Sequence, residues 1–290
     1  ANGICLKQNS AMVNLVRNIS EPSIQKSHQR FWYQDSDQHQ QTYEQPLNER
    51  MRTFLRLEFL YSQMLANTDI EEQWATRNAI TNLLEIMAVL MRGDVRNEIL
   101  KEVDRLLELF SHYQNIPSVD SERLDVLNTN LMTKRNNLQN IGSHYLNSLK
   151  NSEFLSTIKH RAIIPGGTCE FDMPEYGHWL RQPYKRRQKD LFHWISTIKP
   201  ICETSSEILL IIRNSTEKMD KVAKEGMYQH TNKKNQQKQI LRISLEDDDN
   251  LFPEISGNQQ RFTIRFLEWS TTDNRAMQSA KDVKFKISIC

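Results

Sequence analysis

Arg261-Phe-Thr-Ile-Arg-Phe266 places Phe262, Ile264 and Phe266 on one side of an extended chain and Arg261, Thr263 and Arg265 on the other, because successive strand side chains point to opposite faces. The same period of two recurs where Leu241, Ile243 and Leu245 alternate with Arg242 and Ser244. It recurs again where Val283, Phe285, Ile287 and Ile289 alternate with Lys284, Lys286 and Ser288. Three such runs predict half-buried antiparallel strands whose outer face is polar and notably basic.

Working back from these runs, the period changes to that of helices. Leu47, Met51, Phe54, Leu55, Tyr61 and Leu65 share one helical face, and Arg52 and Arg56 lie opposite. Thr68 with Glu71 fits a capping box ahead of a second stripe, Ile80, Leu83, Leu84, Met87, Leu90 and Met91. Gly93 supplies a stop and Asp94 a fresh N-cap. A third stripe is Ile99, Val103, Leu106, Leu107 and Phe110, and a fourth runs from Ser121 through Leu124, Leu127, Leu131 and Leu138 toward Gly142. Helical texture returns from about Glu175 to Ile212, with Trp179, Leu180, Leu191, Trp194, Ile195 and Ile198.

Between these helices, Ile163 and Ile164 precede Pro165-Gly166-Gly167, and Thr168 to Phe171 follow, which predicts strand, tight turn and strand. The fold class expected is therefore α+β: a helical bundle in the N-terminal half and a smaller antiparallel β domain, the chain passing between them. The expected division assigns 44–160 and 174–225 to the helical domain and 161–173 and 226–290 to the β domain. Residues 1–43, rich in Gln, Asn and Ser, read as a mobile extension with a short helix near Met12 to Ile19.

Composition narrows the function. The 290 residues are 38% hydrophobic and 26% charged, enough apolar material for buried cores. A net charge of +2 is too small for a general polyanion binder, so any cationic function must come from local clustering. Cys5, Cys169, Cys202 and Cys290 lack the paired spacing of a zinc site and read as reduced thiols of a cytoplasmic protein. No apolar run approaches the ~20 residues that cross a bilayer, and no signal-peptide core is visible, so membrane insertion is not expected.

Catalytic and cofactor motifs are missing. Pro165-Gly166-Gly167-Thr168 lacks the spacing and the Lys of a phosphate loop and reads as a structural turn. The eight histidines form no pair at ligand spacing beside a third ligand, and no Gly-x-Ser-x-Gly occurs. The expectation is no enzyme, no cofactor, no metal and no catalytic residue. Glu246 to Asp249 lacks calcium-loop spacing and reads as a solvated turn. Glu58 falls on the apolar side of the first helix, where a carboxylate needs a partner, and Arg92 or Arg96 is the one expected.

What remains is cations on ordered surfaces: Arg52 and Arg56 on a helix, Arg92 and Arg96 flanking a helix junction, Lys159 and Arg161 before the glycine turn, Arg261 and Arg265 on one strand face. Two arginines projecting from one side of a strand suit a carboxylate-bearing partner.

Three stretches at these places resemble the ZapD family of cell-division proteins: Gln45-Pro-Leu-Asn-Glu-Arg-Met-Arg-Thr-Phe-Leu-Arg-Leu-Glu-Phe-Leu60, Ile164-Pro-Gly-Gly-Thr-Cys-Glu-Phe-Asp-Met-Pro174 and Leu251-Phe-Pro-Glu-Ile-Ser-Gly-Asn-Gln-Gln-Arg-Phe-Thr-Ile-Arg-Phe266, with Arg92-Gly-Asp-Val-Arg96 between the first two. The resemblance covers roughly Tyr43 to Cys290. It implies a cytoplasmic homodimer at the mid-cell division ring that binds the C-terminal peptide of the tubulin-like GTPase FtsZ and bundles its filaments. It also implies partner-binding roles for Arg56, Arg92, Arg261 and Arg265. A further family arginine aligns with Glu153, its role open to Lys150, and the family histidine aligns with Gly177, beside His178. The partner-binding set expected is thus Arg56, Arg92, Arg96, Lys159, Arg161, His178, Arg261 and Arg265.

The alternative from another class is a nucleic-acid-binding protein using Tyr184-Lys-Arg-Arg187 and the basic strand face. A third is an enzyme with a site between the helical and β parts, which would need a deep polar pocket.

Overall fold

The computed structural model describes residues 40–114, 119–232, 238–246 and 250–290. The expected mobile extension up to residue 39, its short helix near Met12 to Ile19, and Asp247 to Asp249 lie outside the described residues. In chain order the elements are β1 (Gln40–Pro46), α1 (Glu49–Thr68), α2 (Gln73–Met91), α3 (Val95–Tyr113), α4 (Ser121–Asn140), α5 (Asn147–Lys150), α6 (Glu153–Arg161), α7 (Pro174–Leu180), α8 (Tyr184–Asn214), β2 (Met219–Ala223), β3 (Met227–Thr231), β4 (Ile240–Glu246), β5 (Leu251–Gly257), β6 (Arg261–Glu268), β7 (Met277–Gln278) and β8 (Val283–Ile289). The fold is α+β, as the change of period predicts.

The described residues divide into two compact units. One is built from those up to Leu55 and those from Leu209 onward, and the other from those between Arg56 and Ile208, apart from residues 119–120, which belong to the first.

In the first unit, one antiparallel sheet has strand order β1-β4-β8-β2, and a second has β3-β6-β5 with β7 also on β6. The predicted alternation is what joins them. Leu241, Ile243 and Leu245 of the first sheet bury with Phe262, Ile264 and Phe266 of the second, and with Phe285, Ile287 and Ile289, in one apolar core. The rings of Phe266 and Phe285 meet at 4.9 Å between centroids. Each fully buried side chain of this kind contributes roughly 1.5–3 kcal/mol relative to exposure.

The three alternating runs account for β4, β6 and β8, whereas β1, β2, β3 and β5 lack a clear apolar alternation in the sequence. The structure places β1 on the edge of its sheet, where only one side of the strand needs a ladder. Tyr43 packs against the core, so Glu44 turns to the opposite face, where its register partner is Arg242.

There Arg213, from the last turn of α8 and only 4% exposed, grips Glu44 with two bonds: Nε donates to Oε1 at 2.8 Å and Nη2 to Oε2 at 2.7 Å. Arg242 Nε lies 2.8 Å from Oε1, a contact of charge without hydrogen-bond alignment. Burial alone would raise the Glu44 pKa. The two guanidinium charges, with the bonds from Arg213, more than reverse that and hold the carboxyl below its ordinary 4.5.

In the second unit, Leu57, Leu60, Tyr61 and Met64 of α1 are buried, as are Ile80, Leu83, Ile86, Met87 and Leu90 of α2. Asn48 caps α1 by accepting from the Met51 amide at 2.9 Å, and Asp94 caps α3 as expected, accepting from Asn97 N–H. The expected Thr68–Glu71 capping box does not form. α1 runs through Thr68, whose hydroxyl turns back to Leu65 O at 2.6 Å, and α2 starts after Glu72 without a side-chain cap. Burial pushes the Cys202 thiol and the Tyr61 phenol well above their usual values, which suits inert core groups.

The segment around Pro165 differs most from expectation. It holds no strand, falls in the helical unit rather than with the sheets, and is a chain of tight turns. Ile164 N donates to Arg161 O at 3.0 Å, Gly167 N to Ile164 O at 2.9 Å and Cys169 N to Gly166 O at 3.0 Å. Amides satisfied three residues back need no ladder, and the two isoleucines that suggested a strand are exposed. Gly166 sits at φ +72, and a Cβ on Gly167 would stand 2.4 Å from Arg161 O, so the glycine pair is a steric requirement of the turn.

Glu44→Gln keeps the shape but removes the charge that Arg213 and Arg242 share, and urea denaturation should show a loss of roughly 1–3 kcal/mol. Because the folded pKa of Glu44 lies below the ordinary 4.5, its stabilisation is complete above that pH and fades as pH falls through the folded value. The Glu44→Gln variant should therefore show a flatter stability profile across that acidic range than the parent.

Candidate functional site

Arg261 and Arg265 are positioned by the β5–β6 hairpin. Asn258 Oδ1 accepts from Gln260 N at 2.9 Å and Arg261 N at 3.2 Å, and Asn258 N donates to Arg261 O at 2.9 Å. Gly257 has φ +139, and a Cβ there would stand 2.3 Å from Arg261 O, so only glycine permits this closure. From that fixed start, alternation buries Phe262, Ile264 and Phe266 and turns Arg261 and Arg265 outward.

Each meets a polar group on a neighbouring strand. Arg261 faces Gln229 of β3, Nη2 donating to Oε1 at 3.4 Å. Arg265 is ion-paired through Nη2 with Glu254 Oε2, its register partner on β5. The outer face of this sheet thus carries two outward guanidinium groups, one meeting an amide and the other a carboxylate.

The helical unit holds the remaining expected residues. Arg56 on α1, Arg92 just past α2, and Lys159 and Arg161 in the last turn of α6 are exposed, and none has a carboxylate partner among the described residues. His178 on α7 is exposed, its Nε2 lying 2.9 Å from Gln182 Nε2. Arg96 differs. Its Nε donates to Leu138 O at 2.7 Å and its Nη2 to Gln139 O at 3.2 Å, where it satisfies the open carbonyls ending α4. Arg96 thus does structural duty, and it serves α4 rather than Glu58, which is buried as expected.

Glu153, aligned with a family arginine, begins α6 behind the Ser152 cap, where the helix dipole favours an acid over a base. Gly177, aligned with the family histidine, is buried, and a Cβ there would press on Glu170. Glu170 in turn pairs with Arg181. The turn segment is tied down by Arg77, which donates to Thr168 O at 3.1 Å and lies 4.9 Å above the Tyr176 ring. Burial pushes the Tyr176 phenol up to about 12, the Arg77 charge pulling the other way. Around this anchored base, Ile163, Ile164 and Phe171 are exposed.

The basic run Tyr184 to Arg187 is split by burial. Arg187 is buried and donates through Nε to Gln182 O at 3.0 Å, through Nη2 to Glu71 O at 2.7 Å, and through Nη1 to Thr76 Oγ1. Tyr184 OH donates to Thr68 O at 2.8 Å. Only Lys185 and Arg186 face solvent, too little for a phosphate-tracking patch. Among the described residues no group of His, Cys, Asp and Glu could hold a metal ion, and no helix is long and apolar enough to cross a membrane.

Sequence reading misses Arg213 and Glu254 and takes the buried Arg187 for a surface cation. For Glu254 a signal existed, since a hairpin closed at Gly257-Asn258 sets position 254 opposite 265.

A family model described as ZapD, cell division protein, matches residues 55–265. The cell division protein ZapD of Shigella dysenteriae serotype 1 (strain Sd197) and that of Escherichia coli (strain K12) are each 32% identical to this chain over 256 residues. The match covers 87% of this chain and 100% of each relative.

Arg187→Met should cost roughly 1–3 kcal/mol in urea unfolding, because it removes the three bonds of a buried guanidinium, one of them to the buried Thr76 hydroxyl. Arg261→Ala should stay within about 0.5 kcal/mol of the parent. Equal losses would mean that Arg261 is structural.

Proposed function

Since the chain belongs to the ZapD family of cell division proteins, we propose that it acts there as a non-catalytic adaptor, binding the C-terminal peptide of FtsZ and crosslinking FtsZ filaments at the mid-cell division ring. The observation that carries this reading is the pair Arg261 and Arg265, held outward on one strand of two sheets that share an apolar core. Guanidinium groups fixed on a sheet make charge-assisted, bidentate bonds to carboxylates without losing the entropy of a loop. A carboxylate-bearing peptide in extended form fits such a face. Arg56, Arg92, Lys159, Arg161 and His178 supply further exposed polar groups, and bundling is assigned to them together with the sheet arginines.

Crosslinking needs two sites per particle. A symmetric homodimer of this chain provides them, and the second binding event then gains from local concentration without any new contact. The adaptor works in the cytoplasm and takes no cofactor.

Sedimentation of FtsZ filaments with the full chain tests this. Bundling should be seen with intact FtsZ and lost with FtsZ that lacks its tail; equal bundling without the tail would overturn tail docking. Arg261→Glu/Arg265→Glu should weaken tail binding by about tenfold or more while the thermal melt stays near the parent. Arg56→Glu should reduce bundling with an equally intact fold.

A further inference from the structure

Arg261 and Arg265 share a face but differ in what they already hold. Arg261 meets an amide at 3.4 Å, whereas Arg265 is paired with Glu254 across the hairpin, the two side chains 48% and 47% exposed. The geometry points to Glu254 as a specificity-determining residue of this face: its carboxylate occupies Arg265 until a carboxylate of an acidic peptide displaces it. This inference rests on the reading of the face as a peptide site and names what that site selects for.

The argument is one of exchange. A half-exposed ion pair is held weakly, equivalent to no more than about fivefold in an equilibrium constant, so an incoming carboxylate can open it. Opening is not free, and Glu254, once released, stands beside an acidic ligand as a like charge. A segment with a single carboxylate binds Arg261 and leaves the Glu254–Arg265 pair closed. A segment with two carboxylates about 13 Å apart, the span of four strand residues, engages both arginines and recovers the cost.

Arg265's other register partner, Met227 of β3, is exposed, and Leu267, outward by alternation, is half-buried. Apolar ground for the ligand therefore lies at the Arg265 end of the lane. Glu254 thus sets a threshold that favours doubly acidic, partly apolar segments over weaker ones.

The test is fluorescence anisotropy of a synthetic FtsZ C-terminal peptide with the full chain. Glu254→Gln should bind about two- to fivefold tighter than the parent. The gain should shrink at high ionic strength and vanish in Glu254→Gln/Arg265→Gln. Glu254→Thr, chosen for its strand preference, should tighten binding equally and guards against a folding artefact in the glutamine variant. Unchanged or weaker binding by both variants, with the parent binding in an Arg261-dependent way, overturns the role of Glu254 and leaves the peptide site standing. A parent that does not bind the peptide at all overturns the site, and the role of Glu254 with it.

Discussion

A carboxylate withdrawn from water must be paired or take up a proton, and Glu44 is paired by Arg213 and Arg242 together. These three residues come from β1, from the last turn of α8 and from β4, so one ion cluster ties chain segments that are 169 residues apart between Glu44 and Arg213. Its position is also the register position at which β1 meets β4, Glu44 opposite Arg242. A slip of one residue would turn Glu44 into the apolar core and Tyr43 out of it. The cluster therefore specifies the pairing of an edge strand whose own side chains are too polar to specify it.

The register fixed on that sheet carries to the second one through the shared core. Phe262, Ile264 and Phe266 pack against the residues of β4 and β8, and once they are inward, Arg261 and Arg265 have no alternative to solvent. The hairpin closed by Gly257 and Asn258 then decides which residue stands opposite each arginine. Core packing thus determines not only stability but the presentation of charge and the identity of each arginine's neighbour.

Arginine serves two distinct purposes in this chain, and they separate by burial. Arg187 and Arg213 are buried and bonded in several directions, the first to neutral acceptors and the second to a carboxylate; their planar five-donor heads suit them to closing junctions. Arg56, Arg92, Arg161 and Arg261 are exposed. A net charge of +2 over 290 residues conceals this division.

Periodicity alone determined the α+β class, the helical stripes, the three strands β4, β6 and β8, and the outward placement of Arg261 and Arg265, because burial of one face is a local, repeating property of the chain. The same signal misread Ile163 and Ile164, which resemble a strand but whose neighbours find their hydrogen-bond partners in adjacent turns. Only the tertiary structure decided that β1 joins the sheet, that Arg96 caps α4, that Arg187 is internal, and that Arg265 is held by Glu254 while Arg261 is not. The physical reason is that the state of a charged side chain depends on which remote groups are folded against it, and the spacing along the chain does not record that.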